Sequence, residues 1–193
     1  MHLRKLLIIF LFFFISTMLF SQSEQGYVDV QGTVKFDKRP IENAKIEIYE
    51  NGLQIKQYAS NISGRFDFQL DLNKTFVLAI TKTGMVTKRI QFETYVPENE
   101  IGIWTYKFTV EIFPMVDGLN ISILEKPIAI IKFDNTWGAF DYDEDYTNSI
   151  LKDIDRLLKE YEDLKIQAYD KTIAQADEAF KNEEYEKAWE LYD

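Results

Sequence analysis

Residues 27–36 read YVDVQGTVKF and residues 65–70 read RFDFQL. In the first stretch Val28, Val30, Val34 and Phe36 fall on one side of an extended chain, with Gly32 at the same parity. Asp29, Gln31, Thr33 and Lys35 fall on the other. In the second, Phe66, Phe68 and Leu70 alternate with Arg65, Asp67 and Gln69. A side-chain period of two marks strands with one buried and one wet face. Working outward, Ala44, Ile46 and Ile48 repeat the pattern, as do Phe76, Leu78 and Ile80. Ile90 and Phe92 follow, then Tyr106, Phe108, Val110 and Ile112. One-sided alternation over many short segments is the habit of antiparallel sheets.

The breaks have turn chemistry. Arg39-Pro40 fixes one connection, and Asn51-Gly52 between two strand-like runs is a hairpin signal, because both residues tolerate positive φ. Ser63-Gly64, Thr83-Gly84 and Asp117-Gly118 mark further turns. Strands at this spacing predict an antiparallel β-sandwich of about seven strands over residues 27–117. Residues 118–145 read as a β and loop connector, with one short strand at Ile128 to Phe133 and a polar, aromatic run from Asp134 to Tyr146.

After Gly138 the chain has no Gly, and after Pro127 no Pro. Ile150, Ile154, Leu157, Leu158, Tyr161 and Leu164 then recur at helical spacing. The expectation is one long helix from about Tyr146 to Lys181, a turn at Asn182-Glu183, and a second helix from about Glu184. The fold class is therefore α+β, a β-sandwich followed by a helical region at 146–193.

The front of the chain, MHLRKLLIIFLFFFISTMLFSQ, has the form of a secretory leader: Arg4 and Lys5, an apolar run from Leu6 to about Phe20, then small polar residues. The expected cut follows Ser21, leaving no integral membrane span; an uncleaved anchor is the alternative, although the run is short of the roughly 20 apolar residues a spanning helix needs. Removing residues 1–21 leaves 20 basic against 32 acidic residues, a net charge of −12. Such a balance repels phosphate backbones and anionic membrane surfaces, so no nucleic-acid partner is expected. There is no Cys, hence no disulfide and no lipid anchor on an N-terminal Cys, and 15% aromatic content must supply the core. Three sequons, at Asn61, Asn73 and Asn120, carry little weight in a chain whose style fits a bacterial envelope.

Two passages resemble known families. VQGTVKF, PIENAKIEIYENG, SNISGRFDFQL and FVLAITKTGMVTKRIQF, over Tyr27 to Glu93, resemble the carboxypeptidase regulatory-like domain. That resemblance implies a transthyretin-like sandwich of about seven strands with no catalytic residues, used as an accessory module on exported proteins. The last passage, AQADEAFKNEEYEKAWELYD, resembles most of one tetratricopeptide repeat, with Ala176, Ala188 and Tyr192 at motif positions and Ala179 where the motif often has an aromatic. One unit cannot bury a stacked core, so either the hairpin stands alone or it opens a longer array. Envelope proteins of the Bacteroidota pair these two modules, which implies an exported structural or protein-interaction role.

The only His is His2, inside the leader. A chain without His or Cys has no Ser-His-Asp or Cys-His nucleophile and no His/Cys zinc site. Only carboxylates remain for catalysis, and 32 acids make some close pair inevitable, so no enzyme and no cofactor are expected. Asp141, Asp143 and Asp145 alternate, as oxygen ligands for Ca²⁺ can. Acids just before a helix also cap its free N–H groups, which is the simpler role. Trp137 and Tyr142 are candidates for stacking on an envelope glycan, or for pinning the helix. Leu157 and Tyr161 are candidates for docking a protein partner, or for packing within the chain. The expected location is the periplasm, the outer membrane or the cell surface.

Overall fold

The structure is a computed structural model and describes residues 26–192. The expected leader, its cut after Ser21 and the start at Gln22 lie outside the described residues. Among the described residues ten strands form two sheets. In the first, β1 (Tyr27–Phe36) is central. It pairs antiparallel with β5 (Arg65–Asp71) and with the two-residue β2 (Arg39–Pro40), and parallel with β8 (Ile103–Glu111). The second sheet has the order β10-β9-β7-β6-β3-β4. Its strands are β3 (Lys45–Glu50), β4 (Leu53–Ala59), β6 (Thr75–Thr81), β7 (Lys88–Glu93), β9 (Pro127–Asp134) and β10 (Ala139–Tyr142). β7 and β9 run parallel; the other neighbours are antiparallel.

The alternation in the sequence becomes the core. Val28, Val30 and Val34 of β1 face Ile46, Ile48, Leu78, Ile80 and Phe92 of the other sheet, all buried. Gly32 holds an inward position because aromatic rings cover it. A Cβ there would lie 2.0 Å from the tip of the Phe66 ring. Phe66 and Phe108, the partners of Gly32 on either side, meet over it edge to face. At the far edge Trp104 packs against Phe133 and Phe140, and Tyr106 against Tyr142, joining β8 to β9 and β10. Two buried hydroxyls lock the connections. Ser60 accepts from the Ala44 amide and donates to the Ile41 carbonyl, and Thr94 ties Asp71 to Lys74.

The structure departs from the sequence expectation in four places. The first turn is at Asp37 and Lys38, both with positive φ, and Arg39-Pro40 is the returning strand, with Pro40 at a sheet edge where a missing N–H costs least. Two strand pairs are parallel, which leaves no local signature. The Asp134–Tyr146 run contains a strand, β10, and residues 118–145 thus supply two strands to the larger sheet. The long helix α1 (Glu144–Lys181) starts two residues early, because Asp143 is its cap. The Asn51-Gly52 hairpin is as expected, with φ of 51° and 78°.

α1 has 38 residues, about 57 Å at 1.5 Å per residue. Its first half lies on the end of the sandwich, where Leu157 and Tyr161 join Val86, Phe113, Leu119 and Leu124 in a second apolar cluster. Its last turns pair with α2 (Tyr185–Tyr192) in a hairpin closed on Ala176, Ala179 and Ala188. No helix among the described residues is long and apolar enough to cross a membrane.

Candidate functional site

The start of α1 gathers the alternating acids. Asp143 Oδ1 accepts from the Tyr146 amide at 3.1 Å, and Oδ2 accepts from Lys132 Nζ at 2.8 Å. The Lys132 ammonium, then the Tyr146 amide, hold this carboxyl below the usual Asp range. Asp141 turns back on its own strand, accepting from the Tyr142 amide at 2.7 Å. Asp145 lies in the first turn of the helix, where its charge meets the positive end of the dipole. Among the described residues no three acidic side chains stand close enough to share a metal ion. Tyr146 reinforces the junction by donating its hydroxyl to the Pro127 carbonyl at 2.6 Å.

Trp137 is in the turn between β9 and β10 and is 78% exposed. Asp134 shapes that turn by accepting from the Thr136 and Trp137 amides, and these bonds lower its own pKa. Tyr142 lies elsewhere. It packs edge-on against Tyr106, whose hydroxyl burial holds its pKa well above the ordinary range. Its other side borders an open groove of about 840 Å³ on the outer face of the first sheet, among Asp29, Gln31, Asp67, Arg65 and Lys107. Trp137 is not among the residues that border that groove.

Leu157 and Tyr161 are taken up inside the chain. Both are buried, and the Tyr161 ring centroid is 4.5 Å from that of Phe113. In this structure their side chains pack within the chain, the other of the two roles considered for them. The stripe of which they are the centre is the seat of the helix.

The aromatic face that is open lies farther along. Phe180 and Tyr185 stack edge to face at 5.5 Å across the helix turn. Trp189 follows one turn beyond Tyr185, 76% exposed, and Tyr192 one turn later, its hydroxyl bonded to Asp177. Around them, residues 176–192 carry six acidic and two basic side chains. Sequence reasoning singled out none of these aromatics as partner-facing. The signal was present: Ala179 and Ala188 mark the contact between the helices, so Phe180 and Trp189 beside them turn outward.

No protein-family model matches the chain, and no curated protein does. Solved structures match in part. The chain is similar to the Bacillus anthracis TIE protein at 18% identity and TM-score 0.36, over 47% of this chain and 18% of that one. It is similar to a DUF3823 family protein from Parabacteroides merdae at 15% identity and TM-score 0.34, over 49% of this chain and 50% of that one. It is similar to catechol 1,2-dioxygenase from Acinetobacter sp. ADP1 at 14% identity and TM-score 0.37, over 56% and 59%. Less than two thirds of each of those chains is spanned. Likeness at this level carries no argument about what this chain does.

Proposed function

We propose that the chain is an exported, non-enzymatic protein of the cell envelope, in the periplasm, at the outer membrane or at the cell surface, that works by holding a protein partner. In this reading the sandwich is a carboxypeptidase regulatory-like module serving as a rigid base. The helical hairpin is a tetratricopeptide-like unit that presents the binding face. The observation that carries the reading is the exposed array of Phe180, Tyr185 and Trp189 with acids around it. Aromatics of this kind anchor interfaces, and the acidic surround favours a basic amphipathic helix as occupant. A labelled helical peptide of Lys and Leu, titrated against the full chain by fluorescence anisotropy, tests it. Binding should weaken at least tenfold in a Tyr185→Ser, Trp189→Ser double variant. Equal binding of a scrambled peptide, or no effect of the double variant, would overturn the reading.

A second reading, an envelope-glycan module, is favoured only by the exposure of Trp137. A glycan array in which the full chain binds and Trp137→Ala does not would support it; silence of the array would remove it.

A further inference from the structure

The alternation of β7 carries an exception. Ile90 and Phe92 point into the sandwich, and two residues earlier the same parity falls on Lys88. A lysine therefore occupies a core-facing register, opposite buried Ile80 on β6. It looks out from the end of the sandwich into the seam covered by α1. There the seam holds a cavity of about 130 Å³, walled by Phe113, Leu124, Ile128, Ile150 and Leu157. Thr147 also borders it, but its hydroxyl is engaged with the Asp143 carbonyl at 2.9 Å. The Lys88 ammonium is 5.4 Å from the Phe113 ring centroid, and among the described residues no carboxylate comes within 4 Å of it. The Lys88 side chain is part-buried at the border of an apolar cavity and has no ion-pair partner within 4 Å, Glu111 acting only from farther off, so a matching anion would complement its charge.

We propose that this cavity binds a small carboxylate carried on an apolar group, the ring or branched chain filling the space among Phe113, Ile128 and Ile150 and the carboxylate meeting Lys88. Size limits the class. An apolar cavity of about 150 Å³ takes one benzene ring, so a single small ring or branched chain matches the space, which is also bordered by exposed Leu151 and Leu158. Burial lowers the Lys88 pKa, with Glu111 opposing from a distance, and an anion bound beside it would raise that pKa again. A ligand here would touch both the sandwich and α1, and would stabilise the docked position of the arm. The site is independent of the partner face on the hairpin.

Benzoate and its uncharged isostere benzamide, titrated into the full chain and followed by the methyl NMR signals of Ile150 and Leu157, test the proposal. Benzoate should bind at least tenfold tighter than benzamide. Lys88→Met keeps the apolar length of the side chain and should erase that preference. Ile150→Phe fills the space and should abolish binding of both. Benzoate binding that survives Lys88→Met, binding unaffected by Ile150→Phe, or no benzoate binding at millimolar concentration would each overturn it.

Discussion

In the sandwich, Phe66, Phe68, Phe76 and Phe92 are buried; in the helical hairpin, Phe180, Tyr185 and Trp189 are each more than half exposed. The two regions use the same residue types to opposite ends. The sandwich closes two sheets over its rings and leaves polar side chains outside. The hairpin closes on three alanines and leaves its rings outside. Small residues let two helices approach closely but bury little apolar area, whereas aromatic side chains bury 150–250 Å² each by general measure, roughly. Stability should therefore be concentrated in the sandwich and the helix seat, and the hairpin is where the proposed recognition would take place.

The sharpest way to break this contrast is at the centre of the sandwich. Phe92→Ala should cost about 3–5 kcal/mol, read as a fall in the urea midpoint, because the fully buried ring leaves a cavity. A cost under about 1 kcal/mol would mean the sheets are not packed as described. Leu157→Ala at the helix seat should cost about 2–5 kcal/mol and speed amide exchange in α1 around Leu157, while the strands stay protected. Asp143→Ala should cost about 1 kcal/mol through the lost cap. Its effect has a pH signature. The Asp143 pKa is lowered in the fold, so its stabilisation is present above the unfolded value of about 3.9 and is lost as pH falls through the lower folded value. The urea midpoints of wild type and Asp143→Ala should therefore differ at pH 7 and converge as pH falls below that folded value. The smallest effect belongs to the hairpin. Trp189→Ser should change stability by no more than about 0.5 kcal/mol, while weakening peptide binding.

The same contrast explains what could be read from the sequence. Period-two alternation at Val28, Phe66 and Phe76 is imposed by a closed core, so it is local and legible. The Asn51-Gly52 turn is legible for the same reason, since positive φ selects those residues. Pairing order is not local. Nothing in YVDVQGTVKF announces that its neighbour runs parallel from residue 103. β10 is four residues long, mostly exposed, and follows a Gly138 turn, so it offers only Phe140 as an inward mark. On the helix, the apolar stripe at Leu157 and Tyr161 is evident, but periodicity cannot distinguish a seat on the same chain from a partner site. Lys88 was readable by stepping back two residues from Ile90; its meaning came from the wall of α1 opposite it.

The parallel pairing of β1 with β8 has a kinetic consequence. The central strand of the first sheet emerges early, yet one of its flanks stays open until residues 103–111 have been made. Long-range pairings of this kind close slowly, because a large loop must be ordered before the contact rewards it. Strand order that postpones closure would leave the first sheet incomplete, and its inward face uncovered on one side, until the chain has been made through residue 111.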